Sequence, residues 1–111
     1  MAVGSRVSKK LSQSALTSSL VAQVTGAADQ LTQVTGIWLA NNNTTTTRYV
    51  TLSAYGTAAA NIISTKIELP ANGTVIINDP IILTAGQILY AKQDTGTDVT
   101  MTTFGIEEAL A

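Results

Sequence analysis

Between residues 48 and 69 the chain alternates apolar and polar side chains with a period of two, twice in succession. In RYVTLSAY (48–55), Val50, Leu52 and Ala54 take one face while Tyr49, Thr51 and Ser53 take the other; in IISTKIEL (62–69), Ile63, Ile67 and Leu69 oppose Lys66 and Glu68. Successive side chains of a strand point to opposite faces, whereas a helix repeats every 3.6 residues, so this spacing predicts half-buried strands. Composition agrees, because eighteen threonines, with Val and Ile, outweigh the usual helix formers. β-Branched side chains suit a pleated surface and resist helices.

The same reading extends along the chain. SLVAQV (19–24) and LTQVTGIWLA (31–40) are strands, the second with Leu31, Ile37 and Leu39 on one face and Val34, Trp38 and Ala40 on the other. TVIIN (74–78), DPIILTAG (79–86), QILYAK (87–92) and DVTMTTFGI (98–106) follow. In the last, Val99 and Met101 are in one phase and Phe104 and Ile106 in the other, which predicts a bulge near Thr102 or Thr103. NNNTTTT (41–47) and PANG (70–73) carry turn chemistry, and the only prolines, Pro70 and Pro80, sit where strands stop. GTAAAN (56–61) is a loop. Seven or eight strands with short polar turns and no crossover helix predict an all-β, two-sheet antiparallel β-sandwich of jelly-roll or immunoglobulin-like type.

Residues 1–24 read differently. They hold Arg6, Lys9 and Lys10 and no acid, since all seven acidic residues lie at Asp29 or beyond. Val7, Leu11 and Ala15 form too thin a stripe to hold a helix. This segment is expected to be an arm ordered against a neighbouring subunit, with residues 25–111 as the sandwich domain.

Chemistry is narrowly bounded. With no Cys and no His, the chain has no thiol nucleophile, no Cys/His zinc site and no Ser-His-Asp triad. A net charge of −1 supplies no basic field for nucleic acid, and no apolar run reaches the ~20 residues of a membrane helix. The N-terminus has no continuous apolar stretch of the secretory kind, so the expectation is a soluble protein used without export. Asp94-Thr95-Gly96 spells the catalytic tripeptide of aspartic proteases, but only fifteen residues follow Gly96, too few for a flap and cleft. Asp and Gly between alternating runs are hairpin residues, and a turn is the expectation. Asp94 and Asp98 are too few carboxylates to specify a cation site. Asn42, Asn43 and Asn72 head Asn-x-Thr sequences and are read as turn residues. Trp38, Tyr49 and Tyr55 suit either a sugar platform or a protein interface. Faces rich in Thr and Ser with few charges favour contact with other subunits.

The stretches TGIWLANNNTTTTRYVTLSAYGT, IELPANGTVII, PIILTAGQILYAK and the closing Gly105-Ile106-Glu107 resemble, in order and spacing, a family of small β-sandwich structural proteins of tailed bacteriophages. The resemblance spans roughly residues 19–108. It implies a virion component without enzymatic activity or cofactor: a capsid decoration or cement protein, or else a tail, collar or fibre-associated protein. Its partners would be phage structural proteins and copies of itself, with no nucleic acid or membrane. A receptor- or carbohydrate-binding module is the alternative from another class. The residues expected to make assembly contacts are Arg6, Lys9, Lys10, Leu11, Trp38, Tyr49 and Tyr55.

Overall fold

The computed structural model describes residues 3–110. It contains nine strands among those residues: β1 Arg6–Ala15, β2 Val21–Thr25, β3 Gln30–Asn41, β4 Arg48–Ala54, β5 Ile62–Leu69, β6 Thr74–Ile77, β7 Ile81–Leu83, β8 Ile88–Gln93 and β9 Val99–Ala109, with a single 3₁₀ turn at Ala59–Asn61. One sheet, A, has the order β1-β9-β3-β6, with β7 continuing along the same edge of β3; the other, B, has the order β2-β8-β4-β5. Every pairing is antiparallel.

The pairing is nested. β1 pairs with β9, β2 with β8, β3 with β6 and β7, and β4 with β5. A single long hairpin, folded at the β4–β5 connection and rolled up, gives this pattern, and the contacts β3·β9 and β4·β8 close it. The sandwich is therefore a jelly roll, with β6 and β7 as one strand interrupted at Asn78-Asp79-Pro80. The core between the sheets is aliphatic, with Val34, Ile37, Leu39, Val50, Leu69, Leu83, Leu89 and Met101 fully enclosed.

Nesting overturns the expected arm. Residues 6–15 are the strand that pairs with β9, held further by Ser12 Oγ to Thr103 Oγ1 at 2.6 Å and by Gln13 Nε2 donating to Thr102 Oγ1 at 3.0 Å. Leu16 is 1 % exposed and plugs the end of the core as the chain passes from sheet A to sheet B. No boundary falls at residue 24, because β1 and β2 complete both sheets of their own chain. The sequence hid β1 because it is a solvated edge strand rich in Ser and Lys, with almost no apolar face to alternate.

Four details of phase also differ from expectation. Val34 and Ile37 both point inward although three residues apart, because Thr35 is an extra residue between Val34, paired with Gly105, and Gly36, paired with Phe104. β9 itself has no shift: Val99, Met101, Thr103 and Gly105 face inward throughout, and the bulges near its middle belong to its neighbours, at Thr35 in β3 and Leu11 in β1. Ser53, expected to face outward, is buried because loop 56–61 folds over it, and its hydroxyl lies within donating distance of the Gly56 and Asn61 carbonyls. Ile63, expected inward, is half exposed on the open edge strand β5.

Leu16 separates an arm from a core strand. Leu16→Ala should destabilise the isolated monomer by about 2–4 kcal/mol, the usual range for emptying an enclosed leucine site. Urea denaturation reads this as a lower midpoint at unchanged slope; an unaltered midpoint would return residues 1–24 to the role of an arm.

Candidate functional site

The Asp94-Thr95-Gly96 tripeptide is the β8–β9 turn, with Gly96 at φ 80°. The left-handed backbone there favours glycine. The side chain of Gln93, fully buried, braces the turn from within: its Nε2 donates to Thr95 O at 2.6 Å and Asp98 Oδ1 at 2.8 Å, and its Oε1 accepts the Val99 N–H at 2.9 Å. Asp98 is the hub of this end of the roll. It accepts Arg48 Nε at 3.0 Å and Nη2 at 3.1 Å, and Asn43 Nδ2 at 2.9 Å. Those bonds, that of Arg48 foremost, hold the Asp98 carboxyl far below the usual carboxylate range and raise the Arg48 guanidinium above its own. Both carboxylate oxygens are occupied by donors of the protein itself. The pair Asp94/Asp98 is thus divided, since Asp94 accepts the Tyr49 N–H at 3.2 Å on the outer side of sheet B.

The neighbouring Asn-Thr run is turn chemistry, as expected. Asn43 Oδ1 accepts the N–H groups of Thr45 and Thr46 at 2.9 Å each, and Asn41 Nδ2 reaches the carbonyls of Thr46 and Leu69 at 2.9 and 3.1 Å. This network fastens the β3–β4 loop to the β5–β6 turn, where Gly73 N–H donates to Pro70 O at 2.8 Å.

The two outer faces carry what remains. Residues opposite one another in register share a face. On sheet A this brings Trp38 beside Ile76 of β6 and Thr102 of β9, Phe104 beside Gly36, and Ile106 and Ile82 on either side of Gln33. Trp38 is 47 % exposed and meets Phe104 edge-on, with ring centroids 5.2 Å apart and planes at 64°. Arg6 pairs with Glu108 at 2.6 Å at one end of this face, and Lys10 of the edge strand β1 lies opposite Phe104 at mid-sheet. Trp38, Phe104 and Ile76 form an apolar patch across the middle strands, bordered on the β1 side by Lys10.

The residues expected to make assembly contacts divide accordingly. Arg6 and Lys9 are engaged within the chain, Lys9 with Glu107 at 2.7 Å, while Lys10 Nζ reaches only Gln13 Oε1 at 3.4 Å. Leu11 is the bulged residue of β1 and packs against the core. Trp38 stands on the outer face of sheet A and Tyr49 on that of sheet B, so the aromatic residues form no common sugar platform. Tyr55, just past β4, has φ 73° and donates its hydroxyl to the Ile82 carbonyl at 2.8 Å. The sequence reading missed Phe104, Ile76, Ile82 and Ile106 as partners of Trp38. Phe104 and Ile106 are legibly out of phase with Val99 and Met101, but the break reads as a bulge in β9, whereas the extra residues lie in β1 and β3. A separate apolar cleft of about 430 Å³ opens between the sheet edges, lined by Ile63, Ile67, Val75, Ile77 and Ile81.

No family model matches the chain, and no curated protein matches it. Among solved structures, it is similar to a chain of the acidic stable capsid structure of Helicobacter pylori bacteriophage KHP30, with a TM-score of 0.59 and 11 % identity. The superposition covers 98 % of this chain and 92 % of that one, so two chains of near-equal length share one fold from end to end.

The Asp98 hub predicts a pH dependence. A carboxyl whose folded pKa is depressed stabilises the fold above its unfolded value of about 3.9, and that stabilisation fades as pH falls below it. Asp98→Asn should therefore melt below the parent at pH 7, and the gap should narrow as pH is lowered from about 5 toward 3. A gap that stays constant across this range in calorimetry would remove the ion pair from the account.

Proposed function

We propose that this chain is a non-enzymatic structural component of a bacteriophage virion, a small decoration or cement protein that binds an assembled shell through the outer face of sheet A. The observation that carries the reading is the apolar patch around Trp38 and Phe104, with Lys10 at its β1 edge, presented on a fold that matches a chain of a phage capsid structure over nearly its whole length. Aromatic side chains surrounded by small polar ones make the buried centre and rim of protein interfaces. The area is adequate too. Four strands at ~4.8 Å and about ten residues at ~3.3 Å give roughly 600 Å², close to the ~800 Å² that each side of a standard interface contributes.

Charge selects the kind of partner. Arg6 and Glu108 at the end of the face satisfy each other, so a partner must offer a largely apolar surface to Trp38 and Ile76, with an acceptor at the rim for Lys10. We take that partner to be another shell subunit, with further copies of this chain around it. Catalysis has no place in this reading, because the Asp98 carboxylate is saturated and Asp94 stands apart from it.

Particles assembled from the genome that encodes this chain provide the test. Trp38→Ser with Ile76→Thr should leave the melting temperature of the purified protein within a few degrees, because both side chains are already half exposed. Occupancy on particles, read by mass spectrometry, should fall at least about ten-fold, the equivalent of ~1.4 kcal/mol. Antibody label should decorate the head surface. Label confined to the tail would move the protein there, and unchanged occupancy would remove sheet A as the docking face.

A further inference from the structure

The outer face of sheet B carries a depression of about 480 Å³, lined by Tyr49, Thr51, Lys66, Lys92 and Asp94, which the assembly reading leaves unused. Register brings these residues together. Thr51 lies opposite Lys92 across β4 and β8, while Tyr49 and Asp94 exchange backbone and side-chain hydrogen bonds at the start of the β8–β9 turn. Lys66 arrives by a bulge: Val50 pairs with Ile67 and Leu52 with Ser64, which leaves Thr65 and Lys66 facing Thr51 alone. To complete it, Lys66 adopts φ 52°, a left-handed conformation that glycine or asparagine would hold at less cost. A lysine stands there against local preference, and strained backbone of this kind gathers at working sites.

The chemistry of the lining is mixed in a specific way. Neither Lys66 nor Lys92 forms a salt bridge among the described residues. Asp94 engages the Tyr49 N–H through Oδ1, and Tyr49 is 39 % exposed. The depression thus offers two cationic donors, a carboxylate acceptor, a hydroxyl and an aromatic surface. A bare inorganic anion would suit the lysines but be repelled by Asp94. A neutral sugar would leave both ammonium groups unmatched.

We infer that this depression binds a carboxylated sugar, a uronic or sialic acid unit of an acidic polysaccharide. Its carboxylate sits between Lys66 and Lys92, its ring lies against Tyr49, and its hydroxyl groups donate to Asp94. The volume falls within the range of small-ligand sites. With sheet A against a shell, sheet B is the face turned to the surroundings, although the inference stands without that placement because the site lies within one chain.

Titration of the ¹⁵N-labelled full chain tests it, with trigalacturonate and α2,8-linked trisialic acid as probes and galactotriose and sodium phosphate as controls. At least one acidic saccharide should give saturable amide shifts confined to residues 49–51, 66 and 92–94, with no matching response to either control. Lys92→Gln should weaken that binding about ten-fold or more. Lys66→Gly should do the same while melting no lower than the parent, since it relieves the left-handed backbone; this separates a lost ligand contact from a lost fold. The inference is overturned by shifts from neither acidic probe, by an equal response to phosphate, or by undiminished affinity in Lys66→Gly. None of these outcomes bears on particle occupancy, so the two readings fail separately.

Discussion

Strand β9 lies between the first strand of the chain and β3, and the way those two neighbours fit against it organises the whole molecule. Both insert an extra residue at the same level, Leu11 in β1 and Thr35 in β3, opposite the middle of β9 near Phe104. Room for this comes from Gly105. A Cβ at that position would stand 2.2 Å from the Gln33 carbonyl oxygen and 2.6 Å from Leu11 Cδ1, contacts no side chain can make. Glycine there lets the bulged Leu11 tuck onto the core from an otherwise solvated edge strand. Paired bulges increase the local twist, and a twisted sheet can wrap its partner sheet where a flat one cannot. The closing strand of the roll thus depends on one position without a side chain.

The same arrangement sorts the two outer faces. Because β9 keeps one phase throughout while β3 shifts, Phe104 comes out beside Trp38 instead of being buried behind it. Sheet A consequently shows apolar rings to the outside, with an ion pair at one end and Lys10 at the β1 edge. Sheet B has the opposite character. Its bulge in β5 turns Lys66 toward Lys92 and Tyr49, and its outer face becomes polar. Insertion of one residue into a strand moves every later side chain to the other face, so few bulges suffice to give one sandwich two chemically different sides.

How far the sequence spoke for itself follows from this. Strict alternation marked β4 at 48–55, against 48–54 in the structure, and β5 with identical bounds, and the Pro70–Gly73 turn closed as its residues require. The sheet type was legible because period two has no helical counterpart. β1 was invisible, since an edge strand of Ser, Lys and Gln has no buried face to advertise itself. Bulges were legible only as a discrepancy. Val34 with Ile37, and Met101 with Phe104, each break the alternation, but a break in phase does not say which of the paired strands holds the extra residue. Of the candidate site, Trp38 and Tyr49 could be singled out as exposed aromatics, whereas their separation onto opposite sheets depends on topology. Lys66 was correctly placed outward, yet its left-handed backbone has no signature in residue type.

Nested pairing also bears on why a chain with so few charges can serve as a rigid surface. In a jelly roll the first and last strands are neighbours, so both are fixed in the same sheet, and fraying of either must break the β1–β9 ladder. At the other end of the roll, Asp98 ties the β3–β4 loop, strand β4 and the β8–β9 turn through Asn43, Arg48 and Gln93. Loops held at both ends leave the outer faces as the surfaces able to engage a partner without rearrangement. A preformed face loses little conformational freedom on binding, so even a modest apolar patch retains most of its gain as affinity. In the proposed decoration role, that would suit many identical weak contacts, each adding to the next through the lattice that displays them.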